Sequence, residues 1–538
     1  MTPSPCAGPW THGDPVQPSH PTLTAWLDAV TTTRGTAPAL TFWDNVLGRP
    51  TTSSGLGYHA LADRAAQLAG ALHRRGVQPG DRVAWLGWAH PDVVCLLLAV
   101  ARLGAALVPL NHRLAQAEWQ QVLADCTPRV LVHDNHWAAQ ASGLSALTNV
   151  PAGPLPAGHR SVADTAPPPD VAAPGAAVLL VYTSGTTGRP KGAVHTQANL
   201  LANMAIAAQE QSVVPEDRVL TVLPLFHVGG LCIQTLPALY RGAHVHLLAR
   251  FDPTDTLALF ERVRPTLTLQ VPATMKALSD HPAWAQTPLS SLRAVWAGSS
   301  PLPPDQVALF EARGVPVCNV YGATETGPFS IARRPDMATG AGVGRGWPAP
   351  GVSVCLGPAP GATSAPRTGE VGELWLKGPN VVARYWPDTP ACDAQGYFHS
   401  GDLARQTDDG GWVVVGRAKD MVISGGENIY PAEVEQALLA LPGVAEVAVI
   451  GVPDPQWGES LVAVVVPREP GTGAPTADCL RAGLQNRLAR YKQPRRYVFV
   501  EAMPKTALGK VQKHLLTAMV ASSTGVDAAG QPDQQQHG

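Results

Sequence analysis

The sequence predicts an α/β protein in three parts. A large N-terminal part carries parallel sheets, a smaller antiparallel β unit follows near its end, and a small α+β unit closes the chain. Three observations lead there. Apolar strand-like runs alternate with helical segments up to about residue 320. Strands of that kind lie in parallel sheets covered on both faces. Between residues 340 and 415 the apolar residues come in short alternating runs with turn residues between them, the pattern of antiparallel strands. After residue 418 two long apolar runs, Val444–Ile450 and Leu461–Val466, are flanked by helical segments.

The elements follow in order. Leu61, Ala65, Leu68, Ala69 and Leu72 recur at helical spacing, and Gly76 stands where a helix would stop. Pro79-Gly80-Asp81 turns into a strand at 82–86. The apolar segment 92–103 is a helix, and strands follow at 104–109 and 129–132. Residues 151–174 are rich in Pro and Ala without period, which reads as a long surface connection. Strands are expected at 177–181, 218–223, 243–248, 267–271, 294–296 and 316–320. In the β unit they are expected at 351–356, 372–376 and 412–415. Helices are expected at 431–440 and 476–490. Residues 1–20 and 519–538 read as disordered ends.

Composition narrows the class. The chain has 538 residues, enough for more than one domain. Net charge is -2, which argues against an electrostatic nucleic-acid binder. The eight cysteines show no CxxC spacing, so neither a zinc site nor a disulfide framework is indicated, and a reduced cytoplasm is the simplest compartment. The first residues lack a basic end and an apolar run, unlike a signal peptide. The apolar run 93–101 is too short to span a bilayer.

The chemistry gathers around Tyr182-Thr-Ser-Gly-Thr-Thr-Gly-Arg-Pro-Lys-Gly192, after an apolar strand and ahead of a helical segment. Gly185, Gly188 and Gly192 let backbone N–H groups turn toward an anion. Thr183, Ser184, Thr186 and Thr187 add hydroxyls, and Lys191 adds a compact positive charge. Runs of Ser, Thr and Gly are more often solvated loops, but this order of types favours phosphate. The spacing is not that of a Walker A loop.

The loop resembles the phosphate loop of the adenylate-forming superfamily: acyl-CoA synthetases, luciferases and peptide-synthetase adenylation domains. The likeness extends, in the family's order, through Pro224-Leu-Phe-His-Val-Gly-Gly230, Tyr321-Gly-Ala-Thr-Glu-Thr-Gly327, Tyr397-Phe-His-Ser-Gly-Asp402, Gly416-Arg-Ala-Lys-Asp420 and Pro504-Lys-Thr-Ala-Leu-Gly-Lys510. It covers roughly residues 22–515. The resemblance implies an N-terminal adenylate-forming domain at 21–416, a hinge at 417–419 and a mobile C-terminal domain at 420–518.

It also implies roles. Glu325, with Thr187, would hold Mg²⁺, an ion that takes oxygen ligands and bridges nucleotide phosphates. Thr324 would touch the α-phosphate and Tyr321 would lie against adenine, with Gly322, Asn319 and Gly298-Ser299-Ser300 bordering the nucleotide. Asp402 and Arg417 would hold the ribose, since an acceptor-only carboxylate suits a diol. His227 would lie beside the acyl carboxylate, and Lys510 would serve adenylation. Lys419 would be the hinge, Gly425 and Gly426 would line the pantetheine path, and Trp457 would meet the CoA nucleotide. Taken alone, each has a plainer reading: a core histidine, a loop carboxylate, a solvated basic tail.

The implied enzyme is an AMP-forming carboxylate–CoA ligase using ATP, Mg²⁺ and coenzyme A. Its expected substrate is a fatty or aryl monocarboxylic acid, because Leu231, Cys232, Trp296, Ala297, Ala323 and Phe329 offer no cation for a second acid group. Homodimer formation is left open. One rival is an adenylation enzyme loading a carrier protein. Amino-acid activators of that kind carry an Asp near the position of Phe226-His227, which is missing here. The other is a degenerate nucleotide-binding scaffold, which the intact Thr187, Lys191, Glu325, Asp402 and Lys510 disfavour.

Overall fold

The computed structural model describes residues 16–46, 48, 53–154, 168–184, 190–299, 301–337, 344–359, 364, 366–367, 369–424, 427–469, 474–485, 487–506 and 509–523. Three sheets organise them. The expected α/β class is observed.

An eight-stranded sheet is centred on Arg82–Leu86, with Ala106–Pro109 and Val130–His133 parallel on either side. Ala177–Ser184 joins beside Ala106–Pro109 in parallel. Two differences from expectation lie here. Ala152–Pro154, inside the Pro/Ala-rich stretch, is an edge strand parallel to Val130–His133; most of that stretch falls outside the described residues. Ala177–Ser184 is followed by a second strand, Pro190–Thr196, which folds back antiparallel against it. The phosphate-loop segment therefore joins two paired strands, and the helix Gln197–Glu210 starts only after the second. Pro190 stands at the first position of its strand, where its missing N–H costs no ladder bond.

The thirteen-stranded sheet has a parallel centre: Pro38–Trp43, His244–Leu248, Arg218–Thr221, Leu267–Gln270, Ala294–Gly298 and Val317–Tyr321. The expected antiparallel unit is not separate. Ile331–Ala332 and Arg345–Pro348 extend the same sheet into Trp412–Arg417, Phe398–Gln406, Val371–Lys377 and Ser353–Gly357. The helix Pro91–Arg102 touches Pro38–Trp43 of this sheet and Ala177–Ser184 of the other. It is buried from Pro91 to Ala101, which is why it is apolar all round.

The five-stranded C-terminal sheet pairs Val444–Asp454 with Gly458–Pro467, bordered by Val422–Ser424, Glu427–Ile429 and Arg496–Phe499. The expected helix at 476–490 is shorter, Ala477–Leu484. Residues 519–523 of the expected loose tail are helical instead: the helix Lys513–Ser523 buries Leu516 and Val520 against Ala448, Ile450, Val462 and Val464; the rest of that tail lies outside the described residues. Residues 16–20 of the expected disordered start are also placed, with Ser19 Oγ 3.0 Å from the Tyr240 hydroxyl. Cys355 is disulfide-bonded, which amends the reading of the cysteines, and the other described ones are free. Among the described residues no helix is long and apolar enough to cross a membrane.

Candidate active site

The carboxyl ends of Ala177–Ser184, Ala294–Gly298 and Val317–Tyr321 carry, in turn, the phosphate-loop segment, Ser299 and the 322–327 loop. Ligand crevices of open α/β sheets lie at such ends.

Asp402 and Arg417, fifteen residues apart in sequence, are direct partners on neighbouring antiparallel strands. Arg417 Nε donates to Asp402 Oδ1 at 2.8 Å. Tyr321 donates its hydroxyl to Asp402 Oδ2 at 2.7 Å, and burial pushes the phenol well above its ordinary range. Asp402 is nearly buried, yet a carboxylate has about four acceptor positions. Two engaged donors leave acceptor capacity for hydroxyls.

Lys510 reaches the same cluster. It follows a tight turn in which Gly509 N donates to Thr506 O at 2.9 Å and Thr506 N to Lys510 O at 2.7 Å. Gly509 adopts φ +78, a conformation glycine takes without strain. Burial, and then the field of Arg417, hold the Lys510 ammonium below the usual lysine range, while Asp402 and Asp420 oppose that. Lys419 lies in the 3₁₀ turn Ala418–Asp420, directly after the strand that ends at Arg417.

Glu325 is buried in a short turn. Its Oε1 accepts the Tyr385 hydroxyl at 2.9 Å, and Val382 N donates to its backbone carbonyl at 2.8 Å. The Lys191 ammonium lies 5.5 Å from the Tyr385 ring centroid. Oε2 of Glu325 has no hydrogen bond among the described residues. A single buried carboxylate with a free oxygen fits Mg²⁺, which is usually held by one or two carboxylates together with substrate phosphates. No cluster of three or more His, Cys, Asp or Glu that could cage a metal occurs among the described residues. At Gly322 a Cβ would fall 1.6 Å from the Pro328 carbonyl oxygen, so this loop requires glycine there.

His227 Nδ1 accepts the Gly229 N–H at 3.0 Å. Apolar surroundings lower the imidazole to about 4, so the ring is neutral near pH 7 and its proton sits on Nε2. Behind it, residues Gly229–Thr235 form a buried π turn. Trp296 and Phe329, both fully buried, lie 5.5 Å apart between ring centroids.

The structure thus gathers Tyr321, Asp402, Arg417 and Lys510 into one cluster. It places Glu325 with Lys191 through Tyr385. Thr183 pairs with Lys191 across the hairpin. Gly298 and Asn319 lie on neighbouring parallel strands, Ser299 adopts φ +75, and Thr324 is buried beside Glu325. Trp457 sits apart, its ring 4.4 Å from the Arg495 guanidinium carbon. No hydrogen bond, ion pair or ring contact among the described residues joins it to the Asp402 cluster. Gly185, Thr186, Thr187, Gly188, Ser300, Gly425 and Gly426, and the side chain of Ser184, lie outside the described residues. Tyr385 was missed from sequence. It stands in Ala383-Arg-Tyr-Trp-Pro387, where nothing in the spacing marks it.

The fold and the clustered residues define a nucleotide-binding, adenylate-forming enzyme. The chain belongs to the AMP-binding enzyme family, which it matches over residues 27–386, with the family's C-terminal domain at 433–510. It is 41% identical to an indoleacetate–CoA ligase of Aromatoleum aromaticum, over 87% of this chain and 94% of that protein. It is 43% identical to a feruloyl-CoA synthase of Amycolatopsis, over 85% and 92%. Among solved structures, ATP-bound MatB from Rhodopseudomonas palustris superimposes with a TM-score of 0.81 at 30% identity, covering 92% of this chain and 98% of that one.

Proposed function

We propose that this protein is an AMP-forming carboxylate–CoA ligase. The acid and ATP first give an acyl-adenylate and pyrophosphate. The CoA thiol then displaces AMP to leave the thioester. A carboxylate is a poor electrophile with a poor leaving group, and adenylation supplies a good one. The observation that carries the reading is Lys510 lying within the field of Asp402 and Arg417, with Tyr321 bonded to the same Asp402.

In this reading Asp402 and Arg417 hold the ribose, and Tyr321 lies against the base. Neutral His227 offers Nε2–H to an oxygen of the acid, so it orients the carboxylate without taking its proton. Lys510 brings a fixed positive charge to the α-phosphate as negative charge builds there, the kind of preorganised stabilisation that lowers such barriers. Mg²⁺, when bound, neutralises phosphate charge, and Glu325 with Thr187 would hold it. Gly425, Gly426 and Trp457 would meet CoA only after the C-terminal unit turns about Lys419. Residues 417–419 are then a hinge between 21–416 and 420–518, and the turn is a hinge-type domain movement.

The acid is an aryl acid. The two relatives at 41% and 43% identity are named for indoleacetate and ferulate; Leu231, Cys232, Trp296 and Phe329, which this reading takes as the wall beside the acid, are buried and apolar or aromatic. An alkyl chain suits the same wall, so fatty acids are the second reading. The test is CoA-dependent AMP release across arylacetic, cinnamic, benzoic and fatty acids. Turnover of aryl acids above fatty acids is expected. Acid-dependent pyrophosphate exchange without any thioester would point to a carrier-loading enzyme, and no exchange at all would overturn the reading.

A further inference from the structure

We infer that Asn203 is a positioning residue that sets the acid-binding wall by tying two separate chain segments to one helix. It stands in the interior of the helix Gln197–Glu210 and is fully buried. Asparagine is a poor residue for a helix interior, and a buried amide must find partners. Here both ends of the amide are used. Asn203 Nδ2 donates to the Cys232 carbonyl at 2.7 Å. Its Oδ1 accepts the Phe329 N–H at 3.2 Å.

Cys232 lies in the middle of the π turn behind His227. A π turn abandons the regular i to i−4 ladder, so a side chain that takes one of its carbonyls fixes the turn. Phe329 lies at the end of the loop that begins with Tyr321 and carries Glu325. That loop is held from its other side by a second buried amide: Asn380 Nδ2 donates to the carbonyls of Thr326 at 2.5 Å and Phe329 at 3.1 Å. Asn199, one helical turn before Asn203, donates Nδ2 to the carbonyls of Pro379 at 2.8 Å and Val381 at 3.1 Å. One face of the helix after the phosphate-loop hairpin therefore fastens the π turn, the Phe329 loop and the segment that presents Asn380. The distance between Cys232 and Phe329 passes through a single amide. The inference rests on the reading above that these residues wall the acid.

The experiment compares full-length wild type with Asn203→Leu and Asn203→Asp. The aspartate keeps the shape and the acceptor for Phe329 N–H but turns an oxygen toward the Cys232 carbonyl. KM and kcat are measured for MgATP, for the best acid and for a smaller homologue of that acid, below the Tm of each variant. The expected result is an acid KM raised about tenfold, an unchanged MgATP KM and an altered ranking of the two acids. Where Asn203→Leu does not fold, Asn203→Asp carries the test. An active wild type whose variants lose only Tm, with acid KM and ranking kept, overturns this inference alone. A wild type inactive with every acid overturns it together with the ligase reading.

Discussion

The Tyr385 hydroxyl donates to Glu325 Oε1 at 2.9 Å, from a strand residue paired with Ala193 of the phosphate-loop hairpin. This bond links the carboxylate assigned to Mg²⁺ with the hairpin that carries Lys191. It occupies one carboxylate oxygen and leaves the other for the ion.

Tyr385→Phe tests that link. The ring and its packing stay, while Glu325 loses the donor that orients it. Hydrogen bonds to charged groups contribute about 1.5–3 kcal/mol, and partial exposure of the pair takes the lower end. A tenfold higher Mg²⁺ requirement in pyrophosphate exchange is therefore expected, with acid KM unchanged. A wild-type Mg²⁺ titration in the variant would show that Tyr385 does not orient the ion's ligand.

In the proposed reaction the Lys510 charge is needed only while the α-phosphate is attacked, and Lys510→Ala removes it. Adenylation should fall about 10²–10³-fold, the scale for losing one transition-state donor. Thioester formation from supplied acyl-adenylate should stay close to wild type. Normal pyrophosphate exchange would refute the role.

How far the sequence revealed this site differs from residue to residue. Asp402 and Arg417 could be paired in function from the family's motifs, and the hairpin between them explains their spacing in physical terms. Of the hairpin at 177–196, the sequence pattern marks only the first strand. Pro190, Lys191 and Gly192 are poor strand formers, and pairing with Tyr182–Ser184 overrides their preference. The helix Lys513–Ser523 is not expected from sequence, because its apolar residues do not lie on one face: Leu515 and Met519 are exposed while Leu516 and Val520 are buried. Tyr385 and Asn203 bond to groups 60 and 126 residues away in sequence. No local pattern encodes such contacts.

In the proposed reading, Leu231, Cys232, Trp296 and Phe329 border the acid, and this predicts a preference among acids. None of these four side chains is a cation, so a second carboxylate buried among them would stay unpaired, at a cost of several kcal/mol. Monocarboxylates should therefore show much higher kcat/KM than dicarboxylates of the same length. The comparison needs only steady-state kinetics, and equal turnover would mean that a cation reaches the pocket.

Buried histidines set an acid limb on stability. Burial holds His112, His195 and His227 near 4 and His246 near 3, against about 6.5 in an unfolded chain. Between those values the unfolded chain binds protons that the native state refuses. Their contribution to stability is thus complete above about pH 6.5 and is lost as pH falls toward 4. His195 is fully buried with both ring nitrogens unbonded, so His195→Leu removes one contributor without breaking a hydrogen bond. Its Tm should fall less between pH 7 and pH 5 than that of wild type. Parallel Tm curves for the two proteins would exclude His195 as a source of the limb.

Lys419→Pro should separate the two half-reactions. Lys419 lies in a 3₁₀ turn between Arg417, the partner of Asp402, and the strand that begins at Val422. Residues in such turns have φ near -60°, close to the value proline imposes. Proline therefore fits the arrangement seen here, in which Lys510 sits beside Asp402, apart from some crowding of Ala418. That arrangement suits adenylation. Forming the thioester would require the C-terminal unit to turn about residue 419, and a locked φ resists that turn. The variant should make acyl-adenylate at a rate close to wild type and convert it to thioester far more slowly. Lys419→Ala removes the charge and leaves the backbone free, so it should be mild in both steps. Single-turnover kinetics of each step decide the matter. If both steps fall together, or if alanine hurts as much as proline, residue 419 acts through its side chain and the hinge must be sought elsewhere.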